Sequence, residues 1–101
     1  MMVKFEVTRD SVCMGDDVDA PHYAEFCLKN ELSQEQLIVE ILDNYKLASV
    51  ASPLVYWPCT INNVLVATIM ASENSDNEII LEKNIFIELT PINKVYFKYV
   101  Y

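Results

Sequence analysis

The chain opens with a regular alternation of apolar and polar side chains. Apolar residues occupy every second position of residues 3–8, from Val3 to Val7. A two-residue period is typical of a strand with one buried and one solvent-facing side. The same period predicts a second strand over residues 23–28, where three apolar side chains share one face. A long polar stretch, residues 9–21, separates the two strands.

The apolar period then changes to that of a helix. Ser33 and Gln36 have the spacing of a capping box, in which each side chain accepts a hydrogen bond from the other residue's backbone amide. Leu32 and Leu37 have the spacing of a hydrophobic staple. An apolar stripe follows, which predicts a helix over residues 34–45. The stripe consists of Leu37, Ile38, Ile41, Leu42 and Tyr45.

The rest of the chain is predicted to be strand. Residues 54–61 and 64–71 flank Asn62 and Asn63, and Asn tolerates positive φ, so this pair predicts a two-residue type I′ hairpin turn. Pro58 cannot donate to a strand ladder, which predicts an edge strand or a bulge there.

Two further strands are predicted beyond the hairpin. Residues 79–89 form the first, with a bend near Lys83 and Asn84. The second, residues 94–101, has aromatic side chains on both faces, which fits either a central strand or an edge that receives a partner. Its two lysines are typical of a protected edge.

Together these elements predict a single α+β domain, residues 1–101. We expect an antiparallel sheet of five or six strands with one helix packed on one face, in the order ββαββββ.

Composition and charge narrow the classes of function. A single glycine excludes a Gly-rich phosphate-binding loop, since such loops need several residues without Cβ. Seven basic and fifteen acidic residues give a net charge of −8. This charge argues against nucleic acid and anionic membranes as partners and favours a basic protein partner.

The sequence also predicts a soluble protein of the cytoplasm. The first residues lack the apolar stretch of a signal peptide. Cys13, Cys27 and Cys59 are odd in number and widely spaced, so they indicate neither a disulfide framework nor a zinc site. We expect no cofactor and no metal.

The densest group of polar residues lies between Asp10 and His22. Its acids do not have the spacing of a calcium-binding EF-hand loop, because Gly15 precedes them and the final Glu is missing. Cys13 and His22 could form a nucleophile and base with Asp16 or Asp19 as the orienting group, although a negative field disfavours a thiolate. The loop could also be structural, because Asp side chains cap turns.

The remaining interpretation of this loop is a recognition surface for a basic partner, through charge-assisted hydrogen bonds. A second polar loop, predicted over residues 72–77, would bind the partner in the same way. The candidate partner-binding residues are Asp16, Asp17, Asp19, Glu73, Asp76 and Glu78. Trp57 could be an exposed aromatic anchor, although a single Trp in a small domain is more often core. Tyr96, Tyr99 and Tyr101 could form an adhesive surface.

Two resemblances bear on function. The stretch Ser-Val-Cys-Met-Gly-Asp-Asp-Val-Asp-Ala-Pro-His, residues 11–22, with a later Trp57 before the Asn62 hairpin, resembles openings found in small uncharacterised bacterial proteins. In size, acidity and α+β pattern the chain is similar to immunity proteins of toxin–immunity systems, including those of contact-dependent growth inhibition. The second resemblance implies a non-enzymatic inhibitor of a toxin, and it carries over no individual residue.

The leading hypothesis is therefore a bacterial immunity protein that binds and neutralises a basic toxin, such as a nuclease. One alternative is a module that joins a partner by strand addition along its C-terminal edge. The other is a small enzyme that uses Cys13, His22 and an Asp.

Overall fold

The computed structural model describes residues 1–10, 22–47, 54–72 and 75–100, with residues 75 and 76 described by their backbone alone. These residues form an α+β fold with one helix and a six-stranded sheet. The elements in chain order are β1 (Met2–Arg9), β2 (Tyr23–Lys29), α1 (Gln34–Asn44), β3 (Val55–Ile61), β4 (Val64–Ser72), β5 (Ser75–Leu81) and β6 (Ile92–Phe97).

The sheet is mixed rather than wholly antiparallel. Its strand order is β2-β1-β6-β3-β4-β5, and β1 pairs with β6 in parallel while the other neighbours are antiparallel. The expectation of an antiparallel sheet was wrong for this central pair. Residues 82–91 bring the chain from the edge strand β5 back to the middle of the sheet, and β6 then runs in the direction of β1.

The core lies between α1 and one face of the sheet. The alternation of β1 is confirmed, because the side chains at positions 3, 5 and 7 are all buried. The largest fully buried side chains are Trp57, Tyr45, Phe5, Phe97, Leu37, Ile38, Ile41, Ile61 and Ile69. Within the described residues, no helix is long and apolar enough to span a membrane.

The start of α1 has the predicted capping box. The Ser33 hydroxyl accepts from the Gln36 amide (3.2 Å), and the Ser33 amide donates to the Gln36 side chain (3.1 Å). The first helical residue, Gln34, anchors this end to the sheet. Its side-chain amide donates to the carbonyls of Val66 (2.8 Å) and Glu82 (2.9 Å).

We predict that Ser33→Ala lowers the free energy of unfolding by about 1 kcal/mol, because an amide of the first helical turn loses its acceptor. Urea denaturation followed by circular dichroism measures this loss. Ser33→Asp is the matched control, since a carboxylate can cap the same amide and should retain most of the stability. An Ala variant with the wild-type midpoint would contradict the prediction.

The hairpin turn between β3 and β4 is also as predicted. Asn62 and Asn63 have φ values of 51° and 70°, which is the left-handed backbone that a type I′ turn requires at both positions. A bulge accompanies this hairpin: the register shifts between Cys59 and Thr60, opposite the extra residue Val66. The carbonyl of Val66 accepts hydrogen bonds from the Gln34 side chain and from the Glu82 amide (3.1 Å).

The position of Pro58 corrects one expectation. Strand β3 is internal, between β6 and β4, so Pro58 does not mark an edge, whereas the predicted bulge is present beside it. Pro58 lies opposite Lys98, whose amide donates to the Pro58 carbonyl (2.9 Å). Two bonds between Tyr56 and Val100 continue the pairing in the same register.

Strand β6 is central, flanked by β1 and β3, and its lysines therefore do not protect an edge. Its aromatic residues on both faces are explained by this position. Strand β6 itself offers no open edge, because β1 and β3 pair with it on either side, and strand addition by a partner stays a prediction. The edge strands of the described sheet are β2 and β5.

The predicted strand over residues 79–89 ends early. Strand β5 stops at Leu81, and the predicted bend is present at Asn84, which has a left-handed φ of 58°. After this turn, residues 85–89 lie outside the sheet, although they keep the period of a strand. Ile85, Ile87 and Leu89 pack against the core, while the residues between them face solvent.

A fully buried amide, Asn93, fixes the entry into β6. Its carbonyl accepts from the Thr90 amide (2.8 Å) and from the Asn62 side chain (3.0 Å). Its NH₂ group donates to the carbonyls of Thr90 (2.7 Å) and Lys4 (3.1 Å). One side chain thus joins the residue-90 turn, the β3–β4 hairpin and β1.

Candidate functional site

The predicted acidic site is only partly described. Glu78 is exposed on the edge strand β5, and Asp76 belongs to the same strand by its backbone, so the prediction of a polar loop was wrong for these two residues. The other candidates lie outside the described residues, so their role stays a prediction: Asp16, Asp17, Asp19 and Glu73.

The residues proposed for catalysis are also only partly described by the structure. Cys13 lies outside the described residues. His22 is exposed just before β2, and its carbonyl accepts a hydrogen bond from the Tyr45 hydroxyl (3.2 Å). This bond ties the start of β2 to the end of α1. Among the described residues, no three His, Cys, Asp or Glu side chains are grouped to hold a metal ion.

The two described cysteines have contrasting environments. Cys27 is exposed on the edge strand β2. Cys59 is fully buried in the core, and burial raises the pKa of its thiol to about 12. The low dielectric of the core disfavours the thiolate, which is the nucleophilic form, so Cys59 is a packing residue.

Trp57 is a core residue and not an exposed anchor. It is fully buried, and its ring contacts the ring of Tyr99 with centroids 5.2 Å apart. Its indole N–H has no acceptor within the described part of the chain. Tyr99 is therefore partly used in packing, and Tyr101 lies outside the described residues.

The sheet face opposite α1 carries compensated charges. Lys4 pairs with Glu25 (3.1 Å) and with Glu6 (3.7 Å), and Lys94 also pairs with Glu6. Tyr23 donates to Glu25 (2.7 Å), and this bond together with Lys4 lowers the pKa of the Glu25 carboxyl. Because these groups are exposed, the pairs contribute little stability. Their main effect is to neutralise the charges of Glu6 and Glu25 locally.

Tyr96, on the same face, is held by a specific partner. Its hydroxyl donates to one carboxylate oxygen of Asp10, while the other oxygen accepts from the Tyr99 amide (2.9 Å). Asp10 therefore orders the region where β1 ends and β6 passes it. Half-exposed Tyr96 is a fixed structural group rather than a free adhesive side chain.

The helix side of the molecule is acidic by contrast. Glu35, Glu40 and Asp43 are exposed on α1, and the sequence of this helix contains no basic residue. Glu82 and Glu88, in the connection that follows β5, add to this side. Carboxylates gathered on one side of a small protein produce a directional negative field.

A groove lies on this acidic side, between the start of α1 and residues 85–89. Its volume is about 440 Å³. Leu32, Leu37, Ile85, Ile87 and Leu89 provide apolar lining, and Asn30, Gln34 and Glu88 provide polar lining. Phe86 also lines it and is 80 % exposed, an unusual position for a phenylalanine.

A groove with both apolar and polar lining beside an exposed aromatic residue is a composition common in protein-binding surfaces. Sequence reasoning missed this site, because it assigned residues 85–89 to the sheet. The available signal was the alternation itself, since a strand period that places Ile85 and Ile87 inward places Phe86 outward.

Comparison with known proteins does not assign the chain to a group. No family model matches it, and neither the curated proteins nor the solved structures compared with it give a significant match. The fold and the groove therefore describe it on physical grounds alone: a small α+β domain with an acidic side that carries a groove of mixed polar and apolar lining.

Proposed function

We propose that this chain is a bacterial immunity protein of the cytoplasm, which binds a basic toxin domain and blocks its activity. The observation that carries the proposal is the one-sided charge. Glu35, Glu40 and Asp43 stand on a helix without cations, whereas Lys4 and Lys94 neutralise acids on the opposite face. Toxins that act on nucleic acid are basic because they must bind its phosphates.

A directional negative field suits an inhibitor of such a toxin. It accelerates encounter with a positively charged surface and orients the two proteins before contact. The exposed Phe86 and the adjoining groove then supply the apolar contacts that slow dissociation. The protein would act by covering the toxin's surface, and no catalytic step of its own is required.

Co-expression tests the proposal directly. The toxin candidate is the C-terminal domain of the protein encoded immediately upstream of this chain. Expressed alone it should arrest bacterial growth, and co-expression of this chain should restore growth and yield a stable complex on gel filtration. A preceding gene without a basic C-terminal domain, or a toxic domain that this chain neither binds nor neutralises, would overturn the proposal.

The acidic residues that precede β2 in the sequence give a second prediction. Replacing Asp16, Asp17 and Asp19 together with Asn should slow association with the toxin several-fold at low salt and reduce its salt dependence, because the steering charge is smaller. Stopped-flow association at two salt concentrations measures both effects, with melting curves to verify folding. Glu6→Gln is a control at a carboxylate already paired with lysines. A triple variant that associates at the wild-type rate in low salt would contradict the prediction.

A further inference from the structure

Residues 85–89 have the side-chain alternation of a strand but no strand partners among the described residues. Side chains alternate inward and outward, yet the segment belongs to none of the six strands. Within the described part of the chain, its backbone groups take part in one hydrogen bond, from the Asn62 side chain to the Glu88 carbonyl (3.3 Å). An extended segment with unpaired amides and carbonyls is a template for another strand.

There is space beside this segment on both sides. The groove toward α1 is lined by Leu32 and Leu37, and a second groove of about 350 Å³ toward the hairpin is lined by Ile61 and Val64. Phe86 borders both grooves. In strand addition, main-chain hydrogen bonds supply affinity and pockets for alternate side chains supply specificity. Residues 85–89 supply the unpaired backbone groups, and the two grooves supply the space for side chains.

The charges around the segment indicate the chemistry of its partner. Glu88 lines both grooves, Glu82 hydrogen-bonds through its carbonyl to Gln34 at the groove's helix side, and Glu31 precedes Leu32 in the lining. Two cations, Lys29 and Lys83, lie near these three acids in the sequence, so the acids outnumber them. A second copy of this chain would bring the same net charge of −8, so charge complementarity favours a basic partner instead.

We infer that residues 85–89 are a docking strand for an extended, basic segment of a partner protein. The partner segment pairs its backbone with residues 85–89, contacts Phe86 with apolar side chains, and places Lys or Arg near Glu82 and Glu88. This inference rests on the proposed function for the nature of the partner, and it specifies the surface and the mode of binding.

Synthetic peptides test the inference without the toxin. The probes are ten-residue peptides with apolar residues at alternate positions and Lys or Arg between them. Matched peptides carry Glu in place of the basic residues, or methyl groups on alternate backbone nitrogens. We expect basic peptides to bind and to slow hydrogen exchange of the amides of residues 85–89. The acidic and N-methylated peptides should bind far more weakly.

Variants of the protein locate the site. Phe86→Ala should weaken peptide binding about tenfold, the loss typical of an interface anchor. Glu82→Gln with Glu88→Gln should weaken it further at low salt. Ile80→Ala, at an exposed position on the edge strand β5, is the matched control and should bind like wild type.

Three results would overturn the inference: no binding by any basic peptide, equal binding by Phe86→Ala, or exchange protection at the edges of β2 or β5 instead. If any of these occurs while the toxin is still neutralised in co-expression, the proposed function stands and another surface performs it. If peptides bind as expected but no toxin is neutralised, the docking strand stands and the immunity function fails.

Discussion

Asn93→Ala should lower the free energy of unfolding by about 3–4 kcal/mol, because several buried polar groups lose their partner at once. In the folded protein, the Asn93 side chain bonds to the Thr90 amide, the Asn62 side chain and the carbonyls of Lys4 and Thr90. Alanine is too small to replace these bonds. Urea denaturation monitored by Trp57 fluorescence measures the loss.

Asn77→Ala is the matched control for this variant, since Asn77 is exposed on β5 and its replacement should change stability by no more than about 0.5 kcal/mol. Asn93→Asp refines the result. It keeps the shape and the acceptor but cannot donate to the two carbonyls when ionised, and it should therefore be destabilised near neutral pH. A loss below about 1 kcal/mol in Asn93→Ala would show that the network does not stabilise the fold.

The protein should lose stability steeply in alkaline solution because of Cys59. Burial raises the pKa of this thiol from an ordinary 9.0 to about 12 in the folded chain. Between these values the unfolded chain has released the proton and the folded chain retains it, so a rise in pH favours unfolding. The cost is about 1.4 kcal/mol per pH unit above 9, or roughly 2 kcal/mol at pH 10.5.

Cys59→Ala isolates this effect. The variant loses some packing energy at every pH, but the part of the alkaline destabilisation that comes from the thiol disappears. The two proteins share every other titratable group, so the difference between their pH profiles belongs to Cys59. Urea denaturation at pH 7.5 and 10.5 provides the comparison. Parallel profiles for the two proteins would mean that the thiol ionises without unfolding the core.

The elements that could be predicted from sequence are those whose determinants are local. The helix start depends on Ser33 and Gln36, three positions apart, and it forms where expected. The turn at Asn62 and Asn63 depends on the backbone preference of two adjacent residues. In each case the residues that decide the structure are neighbours in the chain, so no knowledge of the rest of the fold is needed.

The pairing of strands could not be predicted in this way. Alternation in β1 and β6 specifies which side chains face the core, but it carries no information about the neighbouring strand or its direction. The parallel pair joins residues as distant as Lys4 and Ile92. Pro58 shows the same limit. A proline lacks the backbone N–H donor, but the sequence does not specify whether the strand lies at an edge or contains a bulge.

The groove could not be predicted because it is formed by two segments that are distant in the sequence. Leu32 and Leu37 belong to the start of α1, whereas Phe86 and Ile87 follow β5. The alternation of residues 85–89 is the same whether or not the segment joins the sheet. The left-handed turn at Asn84 lies between this segment and β5. Composition identified the acidic character of the protein, but it could not place the acids relative to an apolar surface.

The central position of β6 has a consequence for synthesis on the ribosome. The β1–β2 pair and the β3–β4–β5 meander each consist of strands adjacent in the chain, so each can form as soon as it is made. The gap between them is filled by β6, the last strand of the described sheet to emerge. Until β6 has left the ribosome, the nascent chain has open edges at β1 and β3. This interval is when the protein is most exposed to aggregation and to capture by chaperones.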